Sequence, residues 1–267
     1  MKLSKKAALV PAIFMFSTSV NASDIASYKV HIESGHHQVV ESNVSLWFAK
    51  AGSTPIIVAE SKSGQTGLVS FSDVDKQASG VYYLLAEGGK IDGKVVNNYR
   101  GLSILNNKQQ GDIVLNELTT IGSLWPNAQL FSADKGLTGS ANGLLIGSEQ
   151  VQNLTNVQTG SFGATVLNGA NVADSETIGR MNTLAALTTL CGAEQSRERC
   201  DDFLAITSSN NTLEALSKIA KRPYLHNGAL FDLFTHAYPY PKGERRRSTD
   251  YLPYLSYLPE DFSLMVR

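Results

Sequence analysis

Two cysteines, two tryptophans and an 18 % share of charged residues are little for a chain of 267 residues. There is no C-x-x-C pair, so dithiol redox chemistry of that type has no motif to rest on. A serine nucleophile on a G-x-S-x-G elbow is missing, as are G-x-G-x-x-G, a Walker A loop and H-E-x-x-H, so no hydrolase, nucleotide or zinc-protease motif announces a reaction. With 23 Lys and Arg against 24 Asp and Glu, the formal net charge of -1 leaves no field to hold nucleic acid or an acidic membrane surface. After residue 22 no stretch approaches 18 apolar residues, so no membrane span is expected in the mature chain. No internal repeat is found, which argues against propeller blades.

The N-terminus carries an address. Lys2, Lys5 and Lys6 precede a ten-residue apolar run over 7–16, interrupted only by Pro11, and Val20-Asn21-Ala22 follows. This order predicts a signal peptide over 1–22, cleaved after Ala22, and a location in the periplasm, at the cell surface or secreted. The run is too short to cross about 30 Å of hydrocarbon. No cysteine lies beside the cleavage position to take a lipid. Cleavage removes three lysines and no acid, leaving a net charge of -4. In an oxidising compartment Cys191 and Cys200 are expected to form a disulfide closing a short loop, worth about 2–3 kcal/mol.

Behind the signal the hydrophobic period changes once. Over 28–88, Tyr28, Val30 and Ile32 alternate with Lys29 and His31, while Val44, Leu46 and Phe48 alternate with Ser45 and Trp47. Further β-rich runs cover 56–59, 68–71 and 81–86, separated by Gly- and Ser-containing turns. Such spacing without helices predicts an antiparallel β-sandwich of prealbumin or immunoglobulin type over 23–97. From about Asn116 the period becomes helical, with caps expected at Ser140, Ser175, and Asn211 or Thr212. The fold class is therefore α+β: the sandwich, then a disulfide-pinned helical domain over 98–236. A Tyr/Pro-rich tail over 237–267 is non-helical and must wrap the surface or dock on a partner.

The segments GLVSFSDVDKQASGVYYLLAEGG, DIVLNELTTIGSLWPNAQLF, NGLLIGSEQVQNLTNVQTG and RMNTLAALTTLCGAEQSRERCDDF follow one another in that order. This succession resembles a group of exported bacterial proteins in which a prealbumin-like, carboxypeptidase-regulatory-type sandwich precedes a helical region with an Asn-Glu-Leu-Thr-Thr motif and two cysteines. The resemblance covers residues 28–236. Many members of the group continue into a β-propeller, whereas this chain continues into its Tyr/Pro tail. No catalytic residue follows from the resemblance.

Several residues carry competing readings. In the motif at 116–120, Glu117 can be a general base or cation ligand beside Asn116, Thr119 and Thr120; helix capping by Asn116 and Thr119 is the favoured alternative. His36 and His37, between Glu33 and Glu41, can ligate zinc or copper, although neighbours on a strand point to opposite faces and a solvated turn is favoured. Arg245, Arg246 and Arg247 can grip phosphate, mark a protease-sensitive site, or sit in a solvated loop. Trp47, Tyr82 and Tyr83 can form a stacking platform for a sugar or pack as ordinary strand residues. Tyr238, Tyr240, Tyr251, Tyr254 and Tyr257, set among prolines, are candidates for a partner interface. No cofactor and no metal site is expected. The resulting expectation is a non-enzymatic exported protein acting on other envelope proteins, for instance as an accessory subunit of a secretion-system outer-membrane complex. The alternatives are a carbohydrate-binding or adhesive module and a hydrolase using Glu117.

Overall fold

A computed structural model of the chain describes residues 25–267 except 76 and 78; the expected signal peptide lies outside the described residues. Strand character follows the period-two pattern. Seven strands of five residues or more are β1 (Ile25–Ser34), β2 (Asn43–Lys50), β3 (Ile56–Lys62), β4 (Leu68–Asp75), β5 (Gly80–Glu87), β6 (Arg100–Leu105) and β7 (Gly111–Leu115). β1 lies between β7 and β4, and the second sheet has the order β3-β2-β5-β6. All these pairs are antiparallel except β1 with β7, which run parallel with Val30 opposite Ile113. Alternation along β1 buries Ala26, Tyr28, Val30 and Ile32, and Tyr28 meets Tyr82 of the other sheet at 6.5 Å between ring centroids.

The long strands thus end at Leu115, and the helices follow, with two-residue strand pairs (Phe131–Ser132 with Gly136–Leu137, Thr155–Asn156 with Ser161–Phe162) between them: α1 (Glu117–Leu124), α2 (Ala141–Leu154), α3 (Gly169–Asp174), α4 (Thr177–Thr189), α5 (Arg197–Ile206), α6 (Thr212–Lys221) and α7 (Asn227–Ala237). Ser140 and Asn211 cap α2 and α6 by accepting from the N–H groups of Gly143 and Glu214. Ser175 does not cap α4. It closes α3 instead, and its hydroxyl is spent on the Asn171 carbonyl. Every residue of α1 is buried, including its hydroxyls, because the helix lies against β6 and α4, with α2 and α6 also touching it. Apolar residues of both sheets and the helices form one continuous core. The disulfide between Cys191 and Cys200 joins the end of α4 to α5. Among the described residues no helix is long and apolar enough to cross a membrane.

Of the two expected courses, the tail follows the surface of the chain's own helices. It runs antiparallel to α4 and α3, whose polar side chains bond its backbone. Asn182 donates to the Pro253 carbonyl (2.8 Å), Thr183 Oγ1 accepts from Leu255 N–H (3.0 Å), and Arg180 donates to the Ser263 carbonyl (2.8 Å). Thr177 Oγ1 both accepts from and donates to the backbone of Met265, and the Asn171 amide does the same for Arg267. Phe262 and Leu255 are buried. Of the five tyrosines, Tyr238 and Tyr251 are interior residues and Tyr254 is half-buried; Tyr240 and Tyr257 are exposed, and the Tyr257 hydroxyl donates to Glu176. The physical reason is that α3 and α4 offer an extended backbone the donors and acceptors it needs.

Candidate functional site

The motif at 116–120 resolves into separate tasks. The Asn116 carboxamide accepts from Thr119 N–H, and Thr119 Oγ1 accepts from Asn116 N–H, a reciprocal capping box that satisfies two orphan donors at the start of α1. Thr120 Oγ1 donates to the Asn116 carbonyl (2.7 Å) and accepts from Leu102 N–H (3.0 Å). It therefore ties the helix to the edge of the second sheet.

Glu117 is 1 % exposed. Its Oε1 accepts from Ser34 Oγ at 2.5 Å; its Oε2 accepts from Tyr251 OH at 2.6 Å and Gly35 N–H at 3.3 Å. Burial outweighs these donors and raises its carboxyl above the ordinary value, while the carboxyl in turn helps push the buried Tyr251 and Tyr99 hydroxyls up. Ser34 also accepts from Ala193 N–H at 3.1 Å. One carboxyl thus joins four distant segments: the end of β1, the start of α1, the loop beyond Cys191, and the tail. The fit depends on glycine at two points. Gly192 lies where a Cβ would collide with Ser34 Oγ, and Gly35 adopts φ +52° against Ala193. The contacts of Glu117 suit a structural junction far better than proton transfer to a substrate.

The histidines are not brought together. His36 stacks on Tyr251 with centroids 5.7 Å apart, whereas His37 Nδ1 faces Asp92 at 3.3 Å. Glu41 pairs with Lys90. Among the described residues no three His, Cys, Asp or Glu side chains cluster as metal ligands.

The aromatic trio divides between two faces, as alternation requires. Tyr82 points between the sheets onto Tyr28 and Phe48. Trp47 and Tyr83 point outward and stack at 5.9 Å, nearly parallel at 11°, with Trp47 Nε1 donating to Ser45 Oγ. Both line a groove of about 540 Å³, with Pro55, Leu85 and Arg100 among its other walls and the Arg100–Glu87 ion pair at its side. Tyr83 is fully buried, and that burial pushes its hydroxyl up to about 12.

The second sheet treats its two edges differently. On β6 the N–H groups of Arg100, Leu102 and Ile104 donate to the hydroxyls of Thr212, Thr120 and Ser123, at 2.8, 3.0 and 2.9 Å. On the opposite edge β3 pairs, among the described residues, with β2 alone, and Ile56, Ile57 and Val58 are 55 %, 44 % and 39 % exposed. Sequence reading found the β3 run but neither its exposure nor the break in register that leaves Val58 as a bulge, since Ala59 faces Leu46 and Ile57 faces Trp47. Comparison of the chain with protein-family models and with curated proteins yields no match.

Proposed function

We propose that the protein is a non-enzymatic exported component of the cell envelope that works through protein contacts, made by adding a partner strand to β3. One contrast carries this reading: hydroxyls from α1 and α6 bond the β6 edge, whereas among the described residues no strand pairs with the outer side of β3, where three large apolar side chains are exposed. An exposed apolar edge invites strand addition, here on either side of the bulge at Val58. Export rests on the N-terminal signal pattern and on the disulfide, which suits an oxidising compartment. The two sheets, with Tyr28 set against Tyr82, support a prealbumin- or immunoglobulin-like sandwich. A role as accessory subunit of an envelope assembly, such as a secretion-system outer-membrane complex, accords with this mode of contact.

The test is cross-linking in envelopes followed by quantitative mass spectrometry. Ile56→Lys combined with Val58→Lys should abolish recovery of partners, whereas Val172→Lys, an exposed apolar control on α3, should not. Equal recovery from both variants would remove the edge from consideration. A second reading rests on Trp47, half-buried over Tyr83 in the wall of the groove they line, whose ring suits stacking on a sugar. Binding on a glycan array that Trp47→Ala abolishes would favour it.

A further inference from the structure

The tail is held at many points, yet the chain reaches it through an exposed basic loop. Tyr238 is buried, its hydroxyl donating to the Ala186 carbonyl and lying 2.7 Å from Thr189 Oγ1. Nine residues later the chain returns to the same place: the Arg247 guanidinium donates to the carbonyls of Tyr238 (2.8 Å) and Thr235 (3.1 Å) and covers the Tyr240 ring at 4.4 Å. Arg247 N–H donates to Tyr254 OH at 2.8 Å. Between these anchors, Lys242, Gly243, Glu244, Arg245 and Arg246 are exposed and belong to no helix or strand. A turn bond from Glu244 N–H to the Pro241 carbonyl shapes the excursion. A loop whose ends are pinned and whose middle is solvated offers its backbone to a protease without any unfolding of the body.

We propose that this loop is a processing site for a protease with an acidic pocket for basic side chains, and that the severed tail stays seated on α3 and α4. Water adds across the peptide bond after Arg245: the C–N bond breaks, Arg245 gains the carboxylate and Arg246 the ammonium. Nothing on the far side of the cut depends on that bond for its position. Tyr251 remains on Glu117, Leu255 on Thr183, Phe262 in the core, and the backbone of Met265 and Arg267 on Thr177 and Asn171. The disulfide lies wholly before the cut, so the two pieces are joined only by noncovalent contacts. The product is a two-chain protein of unchanged shape, whose tail has become a separate ligand of its own body.

Limited digestion of the native, disulfide-intact chain with trypsin, read by intact mass and gel filtration, tests both parts. The first cut is expected within 242–246, with both fragments eluting together at the size of the uncut chain and separating only in denaturant. Replacing Lys242, Arg245 and Arg246 with Gln should slow loss of the intact chain by about tenfold or more, because the other exposed basic residues outside helices and strands, such as Lys108 and Lys135, sit in short turns. A first cut elsewhere, or a tail fragment that separates from the body under native conditions, overturns the proposal. Nicked protein carrying Asn171→Ala and Thr177→Val should lose its tail more readily than nicked wild type; equal retention would refute the seat assigned here.

Discussion

Replacing Glu117 by Gln tests whether burial or hydrogen bonding governs the junction. The side chains are nearly isosteric, but Gln is neutral at every pH. Burial raises the folded-state pKa of Glu117 above its ordinary 4.5 despite donors from Ser34, Tyr251 and Gly35. The sign follows from proton counting. Between the unfolded and folded values the folded chain keeps a proton that the unfolded chain has lost, so stability falls as pH rises through that window. Its contribution is complete below about pH 4.5 and is lost as pH rises through the folded value, by about 1.4 kcal/mol for each unit of elevation. Below the window both chains are neutral at position 117, and wild type should exceed Glu117→Gln by about 0.5–1.5 kcal/mol, because the amide must turn one donor away. Urea unfolding of both proteins from pH 4.5 to 8 measures the difference. Subtracting one curve from the other removes other titrations, including that of Glu194, which burial also raises. The advantage of wild type should shrink, or reverse, as pH rises. An advantage that grows with pH would refute the argument, since it would mean that the three donors outweigh desolvation.

Three further outcomes are expected. Thr120→Val keeps the shape but leaves Leu102 N–H buried without an acceptor, and should lower unfolding stability by about 1–3 kcal/mol in denaturant titration. Replacing both Cys191 and Cys200 with Ala should lower stability by about 2–3 kcal/mol, while wild type shows no free thiol when titrated in denaturant without reductant. Phe262→Ala should lower it by about 3–5 kcal/mol if the tail belongs to the core; a calorimetric melting curve unchanged from wild type would return the tail to the surface.

Much of this architecture was legible in the sequence because it is local. The alternation in β1 and β2 requires only neighbouring residues, and so do the caps at Ser140, Asn116 and Asn211. The two cysteines needed only their compartment and spacing. What remained hidden depends on contacts far apart in the chain. β6 and β7 are short, and each is completed by a distant element: β7 by its parallel pairing with β1, β6 by the hydroxyls of α1 and α6. The tail's destination could not be read from its own Tyr and Pro residues, because what selects it is the polar stripe of Asn171, Thr177, Arg180 and Asn182 on other elements. Glu117 was found as a carboxylate near a helix start, while its partners at Ser34 and Tyr251 lie 83 and 134 residues away.

The hydroxyl-closed edge of β6 also limits how this chain can be divided. A fragment ending at residue 115 would retain all seven long strands but lose Thr120, Ser123 and Thr212, baring the amides of Arg100, Leu102 and Ile104 along a second open edge. Such a piece would present templates for growth on both sides of the same sheet, which is the geometry of an open-ended polymer rather than of a closed pair. In the intact chain the helices act as the sheet's terminator at β6, so strand addition of the kind proposed for β3 would stop after a single partner.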